Sequence, residues 1–304
     1  LANHNNDIVN EILRLKKQRN ATILVHNYQR PEVQDIADFL GDSLELSQKA
    51  AQIQADVIVF CGVHFMAETA YIVNPKRTVL LPEPESGCPM ADMITAEALV
   101  AKKKELPGAT VVCYVNSTAA VKAESDICCT SANAVKVVQS ITAKEILFVP
   151  DQYLGQWVSD KTGKQMHLWP GFCPTHMKIL AEDIIREKQL HPDALALVHP
   201  ECRTETKAVA DEVMSTGGMI RFARENKAKE FIIGTETGII YRLQKENPEK
   251  IFYPASDKAV CPNMKRITLE KVLWALQEME HKITVPEDIR VKALSAVERM
   301  LAIG

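Results

Sequence analysis

The residue pattern with the clearest chemical use is a Cys-Pro pair that occurs three times, at Cys88-Pro89, Cys173-Pro174 and Cys261-Pro262. The pairs lie 85 residues apart (88 to 173) and 88 apart (173 to 261), far beyond the roughly two-to-four-residue spacing of a zinc knuckle. A spacing of this size matches a small α/β layer unit, which gives one thiol per repeated unit. Three thiolates can grip three corners of a 4Fe-4S cluster and leave the fourth iron without a protein ligand, open as a Lewis acid. Buried structural thiols and a three-thiolate zinc site are the alternatives, and the threefold register favours the cluster over both.

Thiols so distant in sequence need a scaffold that gathers them, and the chain between them is periodic. ATILVHNY (21–28), DVIVFCG (56–62) and TVLLPE (78–83) are apolar, β-branched runs of buried-strand length. Helices are expected between them over 41–52, capped by Asp42 or Ser43, and from about Phe65. The β-α-β-α-β order returns with strands at 109–116, 144–150 and 165–170 and helices near Ser131 and over 152–161. It returns again with strands at 194–201, 230–236 and 250–254 and helices near Thr216 and over 237–246. Strands alternating with helices imply parallel sheets covered on both faces. The expected division is 20–105, 106–192 and 193–280, with a helix over 6–19 and C-terminal helices within 281–304 packed on the first unit.

Parallel sheets bind ligands at the carboxyl ends of their strands, and polar residues stand there in register. His26, Tyr28 and Ser43 shifted by 88 become Tyr114, Asn116 and Ser131; shifted by 173 they become His199, Glu201 and Thr216. Ser43, Ser131 and Thr216 are expected where helices open, so their hydroxyls and the free N–H groups of those helices suit a small, multiply anionic substrate, with plain N-capping as the alternative. Tyr28 and Glu201 are the pair expected to move protons, tuned toward neutral pKa by a nearby cationic cluster. Asp151 and Glu236 at second-strand ends are the alternatives, and His26 and His199 taken singly also read as structural histidines. Among the remaining cysteines, Cys61 and Cys113 fit apolar strands, while Cys128, Cys129 and Cys202 are open to redox roles.

Composition bounds the function class. The 304 residues are 46% apolar and carry 36 basic against 39 acidic side chains, a net charge of −3. That balance gives no reason to expect nucleic-acid or membrane partners. No run of about 18 apolar residues and no signal-peptide core is present, so a cytoplasmic location is expected, where eight cysteines read as ligands or reactive thiols before disulfides.

The ordered strings HNYQRPEVQDIADFLGDSLELS (26–47), GVHFMAETA (62–70), GCPMADM (87–93), YVNSTAAVKAESDICCTSANAV (114–135), GFCPTH (171–176), VHPECR (198–203), STGGMI (215–220), IGTETGIIYRL (233–243) and CPNMKRITLEKV (261–272) resemble the quinolinate synthase family. The resemblance implies three homologous αβα three-layer domains with parallel sheets, arranged with pseudo-threefold symmetry around a 4Fe-4S cluster held by Cys88, Cys173 and Cys261. It implies a transferase of de novo NAD biosynthesis that condenses iminosuccinate with dihydroxyacetone phosphate to quinolinate, phosphate and water, with an aspartate-oxidising enzyme supplying iminosuccinate. It further implies substrate contacts from His26, Ser43, Tyr114, Asn116, Ser131, His199, Glu201 and Thr216, proton transfer by Tyr28 and Glu201 beside His26, and a place for His176 next to the cluster. Some family members carry CxxCxxC at the last ligand, whereas Cys261 is followed by Pro, Asn and Met, so a thiol switch inside that run is not available here. Other three-cysteine cluster enzymes and a non-catalytic iron–sulfur sensor are the competing readings.

Overall fold

The computed structural model describes residues 2–303. The first unit comprises α1 (Ala2–Gln18), β1 (Ala21–His26), α2 (Pro31–Gln34), β2 (Phe39–Gly41), α3 (Ser43–Gln52), β3 (Val57–Cys61), α4 (His64–Val73) and β4 (Thr78–Leu80). The second comprises α5 (Ala96–Glu105), β5 (Thr110–Tyr114), α6 (Ala119–Ala123), β6 (Ile127–Cys129), α7 (Ala134–Ser140), β7 (Ile146–Val149), α8 (Gln152–Thr162) and β8 (His167–Leu168). The third comprises α9 (Ala181–Leu190), β9 (Leu195–Val198), α10 (Thr204–Ala208), β10 (Glu212–Val213), α11 (Thr216–Glu225), β11 (Glu230–Gly234), α12 (Ile239–Glu246) and β12 (Ile251–Pro254). Two helices follow, α13 (Leu269–Glu278) and α14 (Glu287–Ile303).

Each unit holds one parallel four-stranded sheet with the same strand order: β2-β1-β3-β4, β6-β5-β7-β8 and β10-β9-β11-β12. Each has one strand more than the sequence suggests, a two- or three-residue edge strand beside the first. An aspartate builds that edge in all three. Asp38 accepts the Ile23 N–H at 2.8 Å, Asp126 that of Val111 at 2.7 Å and Asp211 that of Ala196 at 2.7 Å. The same aspartates donate their own N–H groups to Ile23, Val111 and Ala196, so each side chain extends the ladder by one bond where the edge strand begins. These positions are again 88 and 173 residues apart.

Both faces of each sheet are covered, which is why the central strands are apolar throughout instead of alternating. In the third unit Ala196, Val198 and Ile232 point into one layer with Ile179 and Ile184. Leu197, Phe231 and Ile233 point into the other with Met219 and Leu243. The first and second units share a continuous apolar core, and α14 is the element that joins them. Arg290 donates to the Ile72 carbonyl of α4, while Arg299 donates to Asp126 O and Asn133 donates to Met300 O. The last helix therefore seats on two units, where the sequence reading placed it on the first alone. The stretch before it pairs antiparallel with the β4 edge, with Leu81 N–H bonded to His281 O and Ile283 N–H to Val79 O, closing an edge that would otherwise be open. No helix of the described residues is long and apolar enough to cross a membrane.

Candidate active site

The carboxyl ends of the three sheets converge on one cavity of about 180 Å³. Every site residue expected from the sequence lines it: His26, Tyr28 and Ser43 from the first unit, Tyr114, Asn116 and Ser131 from the second, His199, Glu201 and Thr216 from the third, with His176 and Cys88, Cys173 and Cys261.

The three cysteines occupy equivalent local structures. Each Cys-Pro pair leads into a single 3-10 turn, Ala91–Met93, His176–Lys178 or Met264–Arg266. In each the cysteine carbonyl accepts the N–H four residues on, from Asp92, Met177 or Lys265. The turn brings backbone N–H groups to the sulfur: Met90 and Ala91 to Cys88, His176 to Cys173, Asn263 and Met264 to Cys261. Burial pushes the Cys88 thiol up to about 12 and raises Cys173 and Cys261 as well, against the pull of those N–H groups. None of the three is in a disulfide. Three soft donors lining one cavity, each carried by the same N–H-bearing turn, fit an iron–sulfur cluster. The sulfur of Cys173 also lies within 4.8 Å of donor atoms of His176 and Glu201, a group able to hold a single metal ion.

The cavity also presents neutral hydrogen-bond donors. The Tyr28 N–H donates to His26 Nδ1 at 3.2 Å and the Glu201 N–H to His199 Nδ1 at 3.3 Å. A backbone N–H cannot accept, so both rings carry their hydrogen on Nε2. Burial holds both imidazoles near pKa 3, hence neutral. His199 Nε2 lies 3.1 Å from Ser131 Oγ, so the serine accepts and its own hydrogen is free for the cavity.

A second set of groups forms a chain. Tyr28 Oη is 2.6 Å from Thr235 Oγ1, which is 2.8 Å from His176 Nε2. His176 Nδ1 is 2.7 Å from Glu201 Oε2, and the Tyr114 hydroxyl donates to Glu201 Oε1 at 2.5 Å. Burial disfavours the Glu201 carboxylate, but His176, His199 and the Tyr114 phenol outweigh it and hold the group at about 2. Burial and then the Glu201 charge drive Tyr28 well above the usual phenol range. Among the protein groups alone the pair is driven apart, toward a carboxylate at Glu201 and an O–H donor at Tyr28.

Two helices open at the cavity as expected. Ser43 and Thr216 are the first residues of α3 and α11, capped by Asp42 and Ser215. Asp42 forms a capping box with Glu45. Ser131 does not begin a helix, because α7 is capped at Asn133; Asn133 turns its side chain back to the Thr130 N–H and hydroxyl, which leaves Ser131 in the preceding turn. The proposed alternatives for proton transfer are otherwise engaged. Glu236 accepts from the N–H groups of Cys261 and Gly238 and lies 3.0 Å from Lys265 Nζ, and Asp151 caps α8 through the Leu154 N–H. Cys61, Cys113, Cys128, Cys129 and Cys202 are buried away from the cavity. Thr235 was not expected. It follows β11 at the position matching Gly62 and Pro150, and a register search at second-strand ends would have found the only hydroxyl of that triple.

Comparisons agree with this construction. The family model described as Quinolinate synthetase A protein matches residues 10–302. The quinolinate synthase of Dehalococcoides mccartyi (strain CBDB1) is 60% identical over 296 residues, covering 97% of this chain and 98% of that protein. That of Thermodesulfovibrio yellowstonii is 60% identical over 299 residues, covering 98% and 99%, and that of Geobacter metallireducens 57% over 296, covering 97% of each. With a match running through all three units and their three Cys-Pro turns, the chain belongs to the quinolinate synthase family.

Proposed function

We propose that this chain condenses iminosuccinate with dihydroxyacetone phosphate, releasing phosphate and water and forming quinolinate for NAD biosynthesis. The observation that carries the reading is a single cavity lined by three equivalent thiol turns together with a hydrogen-bonded chain of acid–base groups and neutral donors. Cys88, Cys173 and Cys261 would hold a 4Fe-4S cluster, which would supply Lewis-acid chemistry toward a carboxylate or hydroxyl oxygen.

The protein groups divide the remaining work. The Nε2–H group of His26, the hydroxyls of Ser43, Thr216 and Ser131, the last turned outward by His199, and the N-termini of α3 and α11 bind the carboxylates and phosphate. Asn116 Oδ1 is buried with no partner, an acceptor suited to an N–H or O–H of the reactant. Ring closure and dehydration require a proton taken from carbon or nitrogen and another delivered to a departing hydroxyl. Glu201, already ionised, is placed to accept; Tyr28, held protonated, is placed to donate and to be resupplied through Thr235 and His176.

Anaerobic reconstitution with iron and sulfide, followed by iminosuccinate and dihydroxyacetone phosphate, should yield quinolinate. A loaded protein that forms none from these substrates would overturn the reading in favour of another cluster enzyme or a sensor. A second reading, favoured by the proximity of Cys173, His176 and Glu201, is a mononuclear metal site; metal analysis finding one divalent ion and no inorganic sulfide would support it.

A further inference from the structure

Asn27 is fully buried at the end of β1 and does not line the cavity, yet it fixes the polarity of a residue that does. Arg242 Nη1 donates to Asn27 Oδ1 at 2.7 Å and to the Leu40 carbonyl at 2.9 Å, while its Nε donates to Glu246 at 2.6 Å. A guanidinium has no acceptor, so the amide must turn its oxygen to Arg242 and its nitrogen to Thr216 Oγ1, 3.1 Å away. The amide nitrogen is only a donor. Thr216 is therefore the acceptor in that contact, and its hydroxyl hydrogen has to point elsewhere. As the first residue of α11, Thr216 has no preceding helical turn whose carbonyl it could reach, and the remaining direction is the cavity it lines.

We infer that Asn27 is a positioning residue, held by Arg242, that makes Thr216 a dedicated hydrogen-bond donor to an anionic oxygen of the bound dicarboxylate. The inference rests on the proposed reading of the cavity as an anion site. It gives Thr216 the same polarity that His199 gives Ser131, by a different donor from a different unit.

The test is quinolinate binding to the anaerobically reconstituted holoenzyme, measured by calorimetry. Asn27→Asp keeps the side-chain shape and improves the contact with Arg242, but it replaces the amide donor with an acceptor that captures the Thr216 proton. Asn27→Asp and Thr216→Val should each weaken quinolinate binding about tenfold, the scale of one hydrogen bond to a charged group. The double variant should bind no more weakly than Thr216→Val alone, and Thr216→Ser should bind as the unmodified protein does. Should Asn27→Asp fail to fold, Arg242→Met, which frees the amide to flip, should weaken binding in the unmodified background and have no effect on Thr216→Val. Unchanged binding in Asn27→Asp, or losses that multiply in the double variant, would overturn the inference and leave the anion-site reading standing. Unchanged binding in Thr216→Val removes Thr216 from the anion site and the inference with it; an unmodified protein that does not bind quinolinate defeats the functional reading itself.

Discussion

In the proposed reaction Glu201 and Tyr28 form a pair because burial raises the pKa of both groups and neighbouring side chains outweigh it only at Glu201. Burial favours the neutral phenol and opposes the carboxylate, and His176, His199 and Tyr114 beside it keep Glu201 charged. Glu201→Gln preserves the shape and the Tyr114 contact while removing the base, so kcat should fall at least about a hundredfold with quinolinate binding changed only a few-fold; near-normal turnover would refute the role. The two neutral histidines set the acid limit of the fold. Unfolded, they take up protons near pH 6.5; folded, they resist until about pH 3. Each therefore subtracts stability as the pH falls from 6.5 toward 3, and the two together should remove about 4 kcal/mol between pH 7 and pH 5. Glu201 acts lower, since the stability it adds above pH 4.5 is lost as the pH falls toward 2. Urea unfolding at pH 7 and pH 5 checks this, and His26→Asn with His199→Asn should flatten the difference.

At the scale of elements, the strand ends carry the cavity residues, and β11 is closely packed on β9. A Cβ on Gly234 would lie 2.4 Å from Val198 Cγ1 and 3.3 Å from the Leu197 carbonyl, so Gly234→Ala must push β11 from β9. The expected cost is about 1–3 kcal/mol, read as a lower thermal midpoint, with kcat reduced because Thr235 is the next residue; an unchanged midpoint would show that the strands can part freely. The long central strands were legible in the sequence because they are apolar on both faces. β2, β6 and β10 were not, since two or three residues cannot display a period. Their mark lay in Asp38, Asp126 and Asp211, whose repeat looks like surface charge until each carboxylate is seen on a central-strand N–H. The balance of forces on Tyr28 and Glu201 is hidden for a related reason: residue types announce acid–base chemistry, while the sign of a shift depends on burial and neighbours brought from other units.

At the scale of the whole molecule, the first two units share a core sealed by α14, and the third meets them largely through polar contacts. Asp35 accepts from Tyr241 at 2.7 and 2.8 Å, Arg30 donates to Lys265 O, and Arg242 donates to Asn27. The cavity lies where these bodies meet, so its thiols come together only when all three units are docked. The central claim is that those thiols act as one ligand set. The direct measurement is iron and sulfide content, with visible absorbance, of anaerobically reconstituted Cys88→Ala, Cys173→Ala and Cys261→Ala beside Cys61→Ala, whose thiol is buried in β3. The first three should each lose the cluster and the fourth should load as the unmodified protein does; a cluster of normal content in any of the first three would contradict the account.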